Sequence, residues 1–220
     1  MTTTIRYTAD DEPSRALAAA DPAMAELIRR VGSVEFSPSV EADRFSMMVR
    51  GIVGQQLSDA AAQRIFGRLR DNIGMTAGAL ASASCGELLA VGLSRRKAEY
   101  VGDLARAVVT GDVDLARLDD LSDDEIVACL TRVRGIGPWT VHMFLLFALR
   151  RPDVIAPGDL GIRQAVGRML GLERAASPAE VQEAAERWRP YRSAATFYLY
   201  RDGGAGVRAP LLPGGDEPKR

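Results

Sequence analysis

The 220 residues are 47% hydrophobic and 26% charged, an ordinary soluble composition with room for one sizeable core or two small lobes. No apolar run reaches the ~18 residues of a membrane helix, and Cys85 and Cys129, without Cys-x-x-Cys spacing, exclude a zinc ribbon and a disulfide scaffold. With 28 Lys and Arg against 29 Asp and Glu, a net charge of −1 and a pI near 6.0, a uniformly basic nucleic-acid coat is excluded; what remains open is a local basic face, or phosphate held by backbone amides.

Residues 1 to 20 are polar and alanine-rich, with Asp10, Asp11 and Glu12 clustered, and read as an irregular lead-in. They lack the basic and apolar regions of a signal peptide, so a cytoplasmic location is expected. Asp21-Pro22 reads as a cap followed by a first-turn proline, and Met24, Leu27, Ile28 and Val31 step at helical spacing to a stop at Gly32. From Arg44, residues Phe45, Met48, Val49, Ile52 and Val53 make one apolar helix face, broken at Gly54-Gln55-Gln56-Leu57. Ser58 caps the next helix, with Ala61, Ala62, Ile65, Phe66 and Leu69 as its stripe. Ser84 to Glu87 has capping-box spacing and Gly92 is a stop. Ser94 opens a helix carrying Ala98, Val101, Leu104, Ala105 and Val108; its start, Ser94-Arg95-Arg96-Lys97, is either a solvated face or a phosphate contact. A second capping box, Ser122 to Glu125, launches Ile126, Leu130 and Val133.

The stretch from Leu130 to Arg163 then joins two helix-compatible runs through Arg134-Gly135-Ile136-Gly137-Pro138. Two glycines supply backbone freedom and Pro138 suits a first helical turn, so a tight hairpin is expected, with amides of Gly135, Gly137 and Trp139 open to an anion such as a backbone phosphate. Asp159, after Pro157-Gly158, is the candidate for chemistry. Spacing alone favours plainer roles: a tight corner for Gly-x-Gly, and an N-cap for Asp159 at the helix starting near Leu160. Beyond it, Ile162, Val166, Met169 and Leu170 continue a helix to Gly171, and Ser177 to Glu180 starts another with Val181, Ala184, Ala185 and Trp188 inward. Pro190 separates that from a last helix, Tyr191 to Tyr200, and the Gly- and Pro-rich tail has no periodicity. Only Val34 to Phe36 and Val154-Ile155 have extended character, so the fold class is all-α.

GIGPWT followed by PGDLGIRQA resembles the signature of the helix-hairpin-helix Gly/Pro-Asp base-excision DNA glycosylases, and the branch it resembles is DNA-3-methyladenine glycosylase II. VRGIVGQQLS resembles the loop with which these enzymes fill the hole left by an extruded nucleotide, and GLSRRKAEYVGDLA is also similar. The resemblance covers roughly Arg44 to Tyr200 and implies a two-lobed helical fold with a cleft between the lobes. It implies Asp159 as catalytic carboxylate, Trp139, Tyr200 and Met143 as walls of a base pocket, and DNA contact by Gln55, Gln56, Arg134, Gly135, Ile136, Gly137 and Thr140. Trp139 stands where strand-cutting relatives carry a nucleophilic lysine, which implies a monofunctional enzyme that leaves an abasic site. With no second acidic residue beside Asp159 in the motif, alkylated purines of the 3-methyladenine type, already good leaving groups, are the implied lesions.

No cofactor is expected. In relatives the hairpin carbonyls hold a monovalent cation, whereas the four-cysteine iron–sulfur cluster of others is not expected, since no cysteine follows Cys129. The expected partner is double-stranded DNA containing damaged bases, bound by a monomer at the nucleoid. The expected division is 1–43 as lead-in and first helix packing on the second lobe, 44–125 as a helical lobe with the GQQLS loop, 126–201 as the hairpin and catalytic Asp lobe, and 202–220 as a disordered tail; the 40 or so residues before Phe45 leave no room for the extra sheet domain of some relatives. A non-catalytic DNA-binding module in which Asp159 only caps, and the same fold acting on another lesion, are the rival readings.

Overall fold

The computed structural model describes residues 4–36 and 43–202, and among them it forms twelve α-helices, one 3-10 turn and a single pair of short strands. The all-α expectation holds. The chain divides into two compact units, residues 1–39 with 150–220, and residues 40–149.

In the first unit, β1 (Ile5–Tyr7) pairs antiparallel with β2 (Val34–Phe36), Ile5 opposite Phe36. The lead-in expected to be irregular holds this strand and a helix, α1 (Glu12–Ala20). The acidic cluster misled because one of its members is a cap: Asp11 accepts the amides of Ser14 at 3.0 Å and Thr8 at 2.7 Å, and Pro13 presets the first turn. Asp21 then starts α2 (Pro22–Val31) through Oδ1, while its Oδ2 accepts the indole N–H of Trp188 at 2.9 Å. Later come α10 (Leu160–Met169), α11 (Pro178–Glu186) and α12 (Arg192–Asp202).

Every residue of α12 from Ser193 to Tyr200 is buried, so this stretch has no solvent-facing side and sits at the centre of its unit, packed by α1, α2, α10 and β2. The Phe197 ring lies against Tyr7 and Phe36, and the Tyr198 hydroxyl meets Ser14 Oγ at 2.9 Å. Burying each such aromatic contributes about 1.5–3 kcal/mol, and this anchors the N-terminal hairpin. Val154-Ile155 does not form a strand. Its backbone partners are side chains of α12 instead: the Val154 N–H donates to Ser193 Oγ at 3.0 Å and Thr196 Oγ1 lies 3.2 Å from the Val154 carbonyl.

The second unit holds α3 (Arg44–Gly54), α4 (Asp59–Asn72), α5 (Ala77–Ser82), α6 (Cys85–Ala90), α7 (Arg95–Thr110), a 3-10 turn at Arg117–Asp120, α8 (Asp123–Leu130) and α9 (Pro138–Phe147). The capping boxes at Ser84 and Ser122 both form. The helix α5 escaped the sequence because six residues with one buried side chain, Leu80, show no period. Since α9 packs on α3, the hairpin α8–α9 belongs with the helices before it. The boundary therefore falls between Leu149 and Arg150 rather than at 125/126, and it parts the hairpin from Asp159. Of the expected tail, Asp202 ends α12, held by Arg30 and Arg168; residues 203–220 lie outside the described residues. Among the described residues no helix is long and apolar enough to cross a membrane.

Candidate active site

Asp159 is both cap and candidate catalyst. Its Oδ1 accepts the Ile162 amide at 3.0 Å, its own N–H donates to the Ala156 carbonyl at 3.0 Å, and it is 8% exposed. The N-cap role that spacing favoured is thus present. It does not compete with chemistry, because a carboxylate held by a helix amide is aimed.

The segment before it is stitched to α12. Arg192 grips Asp153 with both arms, Nε to Oδ1 at 2.8 Å and Nη2 to Oδ2 at 3.0 Å, and also reaches the Asp153 carbonyl at 2.7 Å. Ser193 Oγ donates to the Arg151 carbonyl at 2.5 Å, and its N–H donates to Pro152 O at 3.1 Å. Tyr200, two turns further along α12, hydrogen-bonds Asp159 through its hydroxyl. Burial, then the charge and hydrogen bond of Asp159, push the Tyr200 phenol well above its ordinary value, so it stays protonated.

Asp153 ties this scaffold to pH. Burial would raise its carboxyl, but the hydrogen bonds and charge of Arg192, with Arg189, outweigh that and hold it below the usual carboxylate range. A depressed folded value means the contribution is complete above the unfolded value, about pH 4, and is lost as pH falls below it. Asp153→Asn is expected to lower stability at pH 7 and to flatten the acid side of the stability curve, read by urea unfolding between pH 2.5 and 7; an unchanged acid limb counts against the clasp.

In the other unit the hairpin is built against α7. Gly135 has φ +90, and a Cβ placed there would lie 2.1 Å from the Tyr100 ring, so the ring fills the space a side chain would need. The Ile136 amide donates to Val133 O at 3.1 Å, and Gly137 caps α9 with no side chain, so the first-turn amides lie outside the helix ladder. Gln55 Nε2 donates to the Gly135 carbonyl at 3.0 Å, while Lys97 Nζ donates to the Val53 and Gln55 carbonyls at 2.8 and 2.6 Å, closing the C-terminal end of α3. Burial pulls the Lys97 ammonium below its ordinary value.

Sequence reasoning missed Tyr100, and it offered Lys97 only as part of a solvated face or a phosphate contact. Nothing in the one-dimensional pattern marks either, since both act on residues about 35 to 45 positions away. Gln56 adopts φ +58 and is exposed, so the loop turns that one side chain outward while its neighbour Gln55 is used internally.

The expected site residues therefore separate. Asp159 and Tyr200 are brought into contact in one unit; the glutamines and hairpin residues lie in the other. Trp139 is half-buried on the first turn of α9. Met143 (0% exposed) and Thr140 (3%) are core residues of α9, and the Ile136 side chain (4%) is core as well. Their side chains are enclosed because α9 is apolar almost all round. Tyr200, at 1% exposure, is likewise buried, beside Asp159. Arg134 is exposed but engaged by Asp103 at 2.8 Å and Glu99 at 3.3 Å, and it lies over the Tyr100 ring. Among the described residues no group of three or more His, Cys, Asp or Glu could hold a metal. Of the hairpin carbonyls, that of Val133 accepts the Ile136 N–H and that of Gly135 accepts Gln55 Nε2.

Residues 49–190 match the model of the HhH-GPD superfamily of base excision DNA repair proteins. DNA-3-methyladenine glycosylase 1 of Schizosaccharomyces pombe is 31% identical over 181 residues, covering 80% of this chain and 79% of that protein. YfjP of Bacillus subtilis is 31% identical over 166 residues, but the chain spans only 58% of its length. The crystal structure of a Bacillus halodurans DNA-3-methyladenine glycosidase superposes with a TM-score of 0.83 at 29% identity, over 91% of this chain and 93% of that one. The Schizosaccharomyces pombe 3-methyladenine DNA glycosylase Mag1, in complex with abasic DNA, gives 0.79 at 28% identity, over 90% and 99%.

Proposed function

The chain belongs to the HhH-GPD superfamily of base excision DNA repair proteins, and from that membership we propose that it is a monofunctional DNA glycosylase releasing alkylated purines of the 3-methyladenine type from double-stranded DNA. The observation that carries this reading is Asp159: a carboxylate fixed by a helix amide and a tyrosine hydroxyl, within the stretch that matches the family.

The chemistry follows from charge. As the C1′–N bond of the extruded nucleotide breaks, its electron pair leaves with the base and neutralises the positive charge of an alkylated purine, while positive charge builds on the sugar. A fixed carboxylate stabilises that sugar electrostatically. Water, oriented by Asp159, then adds at C1′ and passes its proton to the Asp159 carboxylate, which returns it to solvent, and an abasic site remains. Extrusion costs a few kcal/mol and is cheapest at a weakly paired lesion. An indole cannot form a Schiff base, so Trp139 in the lysine's place supports base release without strand cleavage. We assign backbone phosphate to the amides at the start of α9, the outward-turned Gln56 to the space vacated in the duplex, and the work of the protein to a cytoplasmic monomer at the nucleoid.

Trp139 is assigned to the face of the damaged base, where a cation over an indole contributes about 0.5–2 kcal/mol. Trp139→Ala is expected to weaken binding of a methylated duplex by roughly 2- to 30-fold relative to an undamaged one, measured by fluorescence anisotropy; equal loss on both duplexes would reduce Trp139 to packing. The whole reading is tested by incubating the pure protein with methylated duplex DNA and identifying the released material by chromatography. Free 3-methyladenine or 7-methylguanine with intact strands is expected. Binding with no free base would leave the phosphate-gripping module, which the capping geometry of Asp159 also accommodates.

A further inference from the structure

The helix α12 is buried from Ser193 to Tyr200, yet it carries four hydroxyl side chains, of which three, Ser193, Thr196 and Tyr200, are spaced i, i+3 and i+7 and therefore lie on one face. All three address the same length of chain. Ser193 holds Arg151 and Val154, Thr196 reaches Val154, and Tyr200 reaches Asp159. The other tyrosine of the helix, Tyr198, spends its hydroxyl elsewhere, on Ser14. A polar stripe inside an apolar helix is stabilising only where each hydroxyl finds a partner. Here the partners run from Arg151 to the catalytic candidate.

The cap by itself under-determines the carboxylate. One amide, that of Ile162, holds Oδ1, and the last torsion of an aspartate is broad and two-fold, so a single hydrogen bond leaves the plane of the group free to turn. A second donor, on a rigid helix and always protonated, removes that freedom. We propose that Tyr200 is a positioning residue for base release, its hydroxyl fixing the plane of Asp159 so that the carboxylate faces the sugar from the start; this rests on Asp159 being the catalytic carboxylate. The role differs from that of an aromatic wall, because it belongs to the hydroxyl and not to the ring. It also bears on the lesion. A phenol whose proton is committed to Asp159 is not available to protonate a departing neutral base, so the pair favours purines that leave already charged.

Tyr200→Phe keeps the ring and removes the hydroxyl. With enzyme in excess over a methylated duplex, the single-turnover rate of base release is expected to fall roughly tenfold to a hundredfold, the range for one hydrogen bond to a charged group. The affinity for the duplex should not change. Tyr198→Phe, made in parallel, should release base at the wild-type rate. A Tyr200→Phe enzyme of full rate overturns the proposal and returns Tyr200 to plain packing, whereas a wild-type protein that releases no base overturns it together with the glycosylase reading. Should Tyr200→Phe not fold, the carbon-13 signal of the Tyr200 Cζ decides, compared between the wild type and Asp159→Asn. A signal that moves when the charge is removed supports the contact, and one that does not move overturns it.

Discussion

Asp159→Asn is expected to slow base release by roughly a hundredfold to a thousandfold, or to below detection, while duplex binding and folding stay intact. The substitution is clean because of what surrounds it. Asparagine still accepts the Ile162 amide through its oxygen and keeps a polar group beside the Tyr200 hydroxyl, which can donate or accept, so the cap survives and stability should change by no more than about 1 kcal/mol. What disappears is the negative charge. Single-turnover release from methylated DNA, thermal unfolding and DNA anisotropy on the same preparations separate the effects. A variant within a factor of ten of the wild type would mean that Asp159 is a cap and the chemistry lies elsewhere.

The second large effect belongs to the hairpin. Gly135→Ala is expected to cost about 2–4 kcal/mol, from forcing a side chain into left-handed backbone and against the Tyr100 ring together. The contact is with the root of the ring, 2.1 Å from Cγ, so relief requires the whole side chain to swing and to release the Arg96 side chain that donates to its hydroxyl at 3.0 Å. Gly137 is the internal comparison. Its φ is −95 and nothing lies within 4 Å of where an alanine methyl would sit, so Gly137→Ala should cost about 1 kcal/mol or less, as an alanine N-cap. Urea unfolding ranks the two, and adding Tyr100→Ala to Gly135→Ala should recover part of the loss. Equal tolerance at both positions would sink the account. Because Gly137→Ala leaves the hairpin in place, any fall in its DNA affinity reports on how closely a phosphate approaches the start of α9.

These two glycines show where reading along the chain stops. Gly-x-Gly between helices announced a tight corner and both residues looked alike; only the fold gives one of them a positive φ and a tyrosine ring in its way. The glutamines behave the same way. Gln55-Gln56 read as one loop signature, but Gln55 ties the loop to the hairpin carbonyl while Gln56 is turned out. The resemblance implied Met143 as a wall of the base pocket and Thr140 and Ile136 as DNA contacts, and it could not tell that all three side chains are buried. At Asp159 the cap and the chemical candidate were both legible, yet the hydroxyl it meets lies 41 residues on, on Tyr200, which the resemblance offered only as an aromatic wall.

By itself the sequence determined the helices other than α1 and α5, their caps at Asp21, Ser58, Ser84, Ser122, Asp159 and Ser177, the corner at Gly135 to Gly137 and the family. These rest on interactions between residues two to four positions apart, and such interactions leave a mark in the spelling of the chain. Tertiary structure alone decided that the hairpin packs with α3 and α7, that α12 is the buried axis of its unit, and which hydroxyls, rings and ammonium groups serve Asp159, Gly135 and the end of α3. The reason is physical: burial and long-range hydrogen bonds depend on which surfaces meet in space, and a residue's own neighbours in sequence do not encode its partner 40 positions away.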